Sequence, residues 1–93
     1  MSEINTVRIN ESSVYTPLDN GETIVLNLNT KNYFSLNESG SFVWELIQEG
    51  LSLDQMTIRL TEFYEVDAET AAVCVKSLIA DLMKQELVLP AMH

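Results

Sequence analysis

Reactive side chains are scarce in this chain, and their spacing decides which chemistry is open to it. There is one histidine, His93, and one cysteine, Cys74. An enzyme needs groups that converge, such as a nucleophile beside a base or an acid facing a base. His93 is the last residue, where chains fray, so it is read as a tail residue rather than a base. Cys74 stands within Ala71-Ala72-Val73-Cys74-Val75 with no histidine near it, and is read as a buried structural thiol. One histidine and one cysteine cannot supply the ligand set of a structural zinc. Glu62, Glu65, Asp67 and Glu69 cluster without the spacing of a calcium loop, which makes them a solvated surface with helix-cap roles. Three glycines form no phosphate-binding loop. These residues argue against catalysis, and neither a metal nor a cofactor is expected.

Composition bounds the rest. Ninety-three residues suggest one domain, with 46% apolar and 20% charged residues as in ordinary globular proteins. A single cysteine excludes an internal disulfide, so the core must hold without one. The start, Met1-Ser2-Glu3-Ile4-Asn5, has neither the basic nor the apolar region of a signal peptide. No segment reaches the roughly 18–20 apolar residues that cross a bilayer. A cytoplasmic protein is expected. Fourteen acidic against five basic residues give a net charge of −9. Such a surface repels phosphate backbones and anionic lipid, so neither nucleic acid nor membrane is an expected partner.

The elements that must position any site follow from periodicity. Residues 1–12 are polar with weak alternation at Val7 and Ile9, and read as an N-terminal arm or a short strand. Residues 13–18 read as a strand that Pro17 confines to a sheet edge. Asn20-Gly21 marks a hairpin. In the next strand Ile24, Leu26 and Leu28 share a face. Tyr33-Phe34-Ser35-Leu36 is the third strand of the sheet, with Phe34 and Leu36 on one side. Asn37 caps a first helix whose apolar stripe is Phe42, Val43, Leu46 and Ile47, with Trp44 beside it, and Gly50 ends it in the left-handed region. Ser52-Leu53-Asp54-Gln55 is a capping box for a second helix, with Leu53, Met56, Leu60, Phe63 and Tyr64 on one face. Asp67 caps a third, running to about Glu86, with Ala71, Val75, Leu78 and Leu82 toward the core. Leu87-Val88-Leu89-Pro90 ends the fold. The expected class is α+β: a three-stranded antiparallel sheet followed by three helices, like a winged helix-turn-helix with its wing first.

That order invites a DNA-binding reading, which remains the alternative. The third helix argues against it, carrying Asp67, Glu69, Asp81 and Glu86 against Lys76 and Lys84. A helix that enters the major groove brings arginine and lysine to it. The sheet suggests another use. With Pro17 on one edge, Tyr33–Leu36 forms the other, and only Lys31 guards it. An open edge can pair with an extended guest chain, unless the third helix or the chain's own tail covers it. It can also pair with a second copy of the same chain, so a monomer or a weak homodimer is expected.

The stretch "LDNGETIVLNLNTKNYFSLNESGSFVWELIQEG" followed by "LSLDQMTIRLTEFYEVDAETAAVCVKSLIADLMKQELV" resembles PqqD-like proteins. The resemblance rests on the strand ending in Leu36-Asn37, on Gly40, Trp44-Glu45 and Gly50, on Phe63-Tyr64-Glu65-Val66-Asp67 and on Leu82–Leu87. It covers residues 13–89 and implies a recognition domain there, behind an arm of residues 1–12. The family, named for a protein of pyrroloquinoline quinone biosynthesis, comprises recognition elements for ribosomally made, post-translationally modified peptides. The resemblance implies a non-catalytic adaptor that holds the leader segment of a precursor peptide for a modifying enzyme or a leader peptidase, in a lasso-peptide or quinone-cofactor pathway. It implies a leader strand added beside Asn32, Tyr33, Phe34 and Ser35, with Val73, Lys76, Ser77, Ala80 and Lys84 of the third helix as groove residues.

Overall fold

The computed structural model describes residues 6–90. The elements run β1 (Val7–Ile9), β2 (Ser13–Pro17), β3 (Thr23–Asn27), β4 (Tyr33–Leu36), α1 (Glu38–Gln48), α2 (Leu53–Tyr64), α3 (Ala68–Lys84) and β5 (Val88–Pro90). Strands β2, β3 and β4 form one antiparallel sheet in that order, while β1 and β5 pair as a separate antiparallel ribbon. The α+β class and the three-stranded sheet followed by three helices agree with the sequence reading. The ribbon is additional. Of the two readings of residues 1–12, the short strand is the one seen at Val7–Ile9, and Val7 is buried in the core. Leu87–Pro90 does more than end the chain, since Leu87 and Val88 are core residues and β5 pairs with β1. Met1–Asn5 and His93 lie outside the described residues.

Each helix starts where a polar side chain can take over an unpaired backbone donor. Asn37 Oδ1 accepts from Gly40 N at 2.8 Å, Ser52 and Gln55 form a reciprocal capping box, and the Asp67 side chain accepts from Thr70 N. The chain leaves α1 through Gly50, whose φ of +80° suits a residue without a Cβ. Buried Val43, Trp44, Leu46 and Ile47 of α1 meet Met56 and Leu60 of α2 and Ala71, Val75, Ile79 and Leu82 of α3. Phe42 is only partly buried, and Leu78 gives its expected core place to Ile79.

Strand β3 corrects the sequence reading in a telling way. Ile24, Leu26 and Leu28 do share a face, but it is the face turned away from the core. Val25 is fully buried and Thr23 and Asn27 nearly so, while Leu28 is 44% exposed. Register explains it: Val25 pairs with Phe34 and Thr23 with Leu36, so the odd-numbered residues of β3 join the side chains that reach the helices. The deciding residue is polar. Asn27 Nδ2 donates to the carbonyls of Glu86 (2.9 Å) and Gln85 (3.4 Å), and its Oδ1 accepts from the backbone of Asn29 (2.9 Å) and Thr30 (3.2 Å). One side chain therefore ties the turn before β4 to the end of α3. A second polar link lies nearby: Asn10 Nδ2 donates to the Glu86 carbonyl and Ser13 Oγ to that of Leu87.

Candidate functional site: an open strand edge beside a helical groove

The two ladders of the sheet can be read bond by bond. Leu28 N donates to Ser12 O, and Leu18 N to Glu22 O, so the even-numbered residues of β3 direct their backbone groups toward β2. Asn27 N donates to Asn32 O, so the odd-numbered residues bond β4. Alternation then gives Phe34 and Leu36 inward-facing backbone groups, paired with Val25 and Thr23. Tyr33 and Ser35 turn their N–H and C=O groups outward. The same counting turns the Pro17 nitrogen away from β3, where its missing hydrogen costs nothing. Pro17 therefore blunts the β2 edge, and β4 is the other edge of the sheet. Among the described residues no strand pairs with β4 on its outer side. The C-terminal strand, a candidate to cover that edge, is engaged with β1 instead.

Beside this edge lies a groove. Phe34, Ser35, Leu36, Asn37, Gly40 and Leu78 line a hollow of about 220 Å³. Asn37, Gly40 and Leu78 also line a larger one of about 360 Å³, which extends along α3 past Val73, Cys74, Ser77 and Asp81. The two are thus continuous from the strand edge to the outer face of α3. Gly40 sits at their junction because a side chain would not fit there without adjustment. A Cβ on it would lie 3.1 Å from Asn37 Oδ1 and 3.4 Å from two side-chain atoms of Leu36.

The sequence-derived site residues divide accordingly. Tyr33 is 70% exposed, Ser35 is exposed and Phe34 is half-buried with its ring toward the core. Asn32 uses its carbonyl on Asn27 and its N–H on Thr30 Oγ1, so neither backbone group is spare. Val73 and Ser77 line the larger hollow. Lys76, Ala80 and Lys84 are exposed and line neither hollow. At about 100° per residue, Lys76 and Ala80 are turned roughly 130° and 90° from the groove's midline on α3, and Lys84 roughly 50°.

Cys74 is a correction. It is exposed and lines the groove, because it precedes Val75 by one residue and so falls outside the buried Ala71–Val75–Ile79–Leu82 stripe. Iodoacetamide is expected to alkylate it fully in the folded protein at a rate within about threefold of that in denaturant. Protection of more than about 100-fold would restore the buried reading. Asn37, Ser39, Gly40, Leu36, Val43, Leu60, Leu78 and Asp81 were the other groove residues that sequence reasoning missed. A signal for the first three existed: a cap asparagine with Ser39-Gly40 two and three residues on places small side chains at a helix start.

Away from the groove, Phe63 is 65% exposed rather than in the core and stacks on Phe42 with ring centroids 4.7 Å apart. Tyr64 packs edge-on to both. Burial, then the charges of Glu38 and Glu45, raise the Tyr64 phenol above the ordinary tyrosine range. Its contribution to stability is therefore complete below the unfolded pKa near 10 and is lost as pH rises through the folded value. An ultraviolet titration should show a late tyrosine step that disappears in Tyr64→Phe; an unchanged profile would remove the assignment. Asp67 runs the other way, its carboxyl held low by hydrogen bonds from the Thr70 side chain and backbone.

Among the described residues no group of side chains could hold a metal ion, and no helix is long and apolar enough to cross a membrane. Two solved structures share this architecture. One is TbiB1 in complex with the TbiA(beta) leader peptide, with a TM-score of 0.84 and 27% identity over 92% of this chain and 99% of that one. The other is a lasso peptide synthetase B1 complexed with the leader peptide, with a TM-score of 0.81 and 23% identity over 90% of this chain and 98% of that one. No curated protein matches the sequence. The family described as Coenzyme PQQ synthesis protein D (PqqD) matches residues 22–88, most of the chain, and the protein belongs to that family.

Proposed function

We propose that this protein is a leader-peptide-binding adaptor: the leader of a precursor peptide adds as a strand to β4 and sends side chains into the groove along α3. The observation that carries this reading is the outward-facing backbone of Tyr33 and Ser35, without a strand partner among the described residues, next to a groove. Main-chain hydrogen bonds give general affinity, and the hollows select side chains. The likeness to TbiB1, which is in complex with the TbiA(beta) leader peptide, supports the assignment, in a lasso-type or quinone-cofactor pathway.

On this reading residues 13–89 form the recognition domain, and the protein performs no catalysis of its own. It presents the remainder of the precursor to a modifying enzyme or leader peptidase, in the cytoplasm, as a monomer or weak homodimer. Val73 and Ser77 are the helix residues that meet the guest on this reading, and of the other three Lys84 is turned least from the groove's midline. The wing-first winged-helix comparison fits the order of elements, with the sheet edge rather than the third helix used for recognition. DNA binding is disfavoured by a net charge of −9.

The test is a titration with the leader peptide of the precursor encoded beside this gene, followed by amide chemical shifts. Shifts concentrated at Tyr33–Leu36, at the start of α1 and along Val73–Asp81 support the site. Binding that leaves those signals still and moves others refutes it. Gly40→Leu, which fills the junction of the two hollows, is expected to lower leader affinity about tenfold, ~1.4 kcal/mol. An unchanged dissociation constant would show that the guest does not enter there.

A further inference from the structure

The groove has a chemical sign. Of the ten residues around the larger hollow, Asp81 is the single charged one. Its companions there include Val43, Leu60, Val73 and Leu78, which offer aliphatic walls, and no lysine or arginine is among them. The carboxylate lies on α3 one turn beyond Ser77 and Leu78, near the groove's midline on that helix, and is exposed. A guest strand paired with Ser35 passes the smaller hollow first, because that hollow includes Ser35 itself. A side chain entering there reaches Asp81 through the wall that both hollows share, Asn37, Gly40 and Leu78, of which Leu78 is the apolar side chain. That path suits a long aliphatic stem with a cationic head: the stem covers apolar wall while the head stays near water and the carboxylate. A guest carboxylate on the same path meets Asp81 inside a protein of net charge −9. The nearest cation along the helix, Lys84, follows Asp81 by three residues but does not line the hollow.

We propose that Asp81 is a specificity-determining residue, which selects guest peptides carrying a lysine or arginine at one fixed position relative to the strand paired with β4. The proposal rests on the groove being the peptide site. Asp81 is exposed, so the expected preference is modest in affinity and sharper in discrimination against an acid.

The test uses a displayed library of random ten-residue peptides, panned on the full chain and on its Asp81→Asn and Asp81→Lys variants. Protection of Cys74 from iodoacetamide reports whether each selected peptide occupies the groove, since that thiol lines it. The wild type is expected to enrich protecting peptides with lysine or arginine at one aligned position. Asp81→Asn should lose that preference, and Asp81→Lys should replace it with glutamate or aspartate. A selected basic peptide should bind Asp81→Asn about twofold to fivefold more weakly, the range of an exposed ion pair. Peptides that converge and protect Cys74 but show no basic position, or show the same one on all three proteins, overturn the role of Asp81 and leave the groove standing. Peptides that bind without protecting Cys74, or a pool that fails to converge, overturn the groove and Asp81 together.

Discussion

Ser35→Pro is expected to weaken leader binding about 30-fold, ~2 kcal/mol, while leaving the fold intact. Ser35 belongs to the pair of β4 residues whose backbone groups point away from β3, so the substitution deletes an outward donor and no ladder bond. Its side chain is exposed and leaves no cavity when replaced. Phe34, the residue before it, is already extended, which is what a following proline requires. The guest carbonyl that would have met the Ser35 N–H then has no partner, and the ring obstructs close approach. Phe34→Pro is the contrasting change, because it removes an inward donor to Val25 and a core ring together. It should lower stability as well as binding. Calorimetry and thermal melts on the same samples separate the two outcomes. A folded Ser35→Pro protein whose affinity stays within about threefold of the wild type would remove strand addition from the account.

Asn27→Ala is expected to cost about 3–4 kcal/mol of folding stability. The amide is 1% exposed and makes bonds to the carbonyls of Gln85 and Glu86 and from the backbone of Asn29 and Thr30. Alanine leaves the Gln85 carbonyl and the Asn29 and Thr30 N–H groups without that partner in a part-buried setting, while the Glu86 carbonyl keeps Asn10 Nδ2, and each group left without a partner carries a penalty of about 1–3 kcal/mol, partly relieved by local relaxation and water. Because the turn ahead of β4 and the end of α3 meet at this amide, the variant should loosen both walls of the groove. Leader affinity should fall along with stability. Urea unfolding reads the first effect as a lower midpoint at unchanged slope. Asn29→Ala is the control: its exposed amide bonds Ser12 Oγ alone, and its loss should cost less than about 0.5 kcal/mol. Equal costs for the two asparagines would show that Asn27 is not the tie described.

What was legible in the sequence was local. Asn37, Ser52 and Asp67 announced three helix starts through side chains that reach only three residues ahead, and all three caps form. Asn20-Gly21 marked the hairpin, and Pro17 marked the edge. Long-range pairing was not legible. Val7–Ile9 and Val88–Pro90 are three residues each and lie far apart in the chain, so the weak alternation at Val7 and Ile9 left an arm or a strand open and nothing marked the two segments as partners. The buried face of β3 was hidden for a related reason. Apolar count favoured Ile24, Leu26 and Leu28, whereas the core took Thr23, Val25 and an asparagine whose partners lie at the far end of α3. On α3 the apolar residues span most of the circumference, so a one-residue error in phase decides whether Cys74 is core or groove. The strand half of the site was therefore placed from Pro17 and pairing, while the helix half needed coordinates to separate Ser77 and Asp81 from Lys76 and Ala80.

The central claim is that the guest completes the hydrogen bonds of β4, and amide hydrogen exchange measures this one residue at a time. In the free protein the Phe34 and Leu36 amides should exchange slowly, held by β3, while those of Tyr33 and Ser35 exchange fast. With saturating leader peptide the account predicts that Tyr33 and Ser35 slow by at least about tenfold and that the alternation along the strand disappears. Tight binding that leaves Tyr33 and Ser35 exchanging as in the free protein would contradict it.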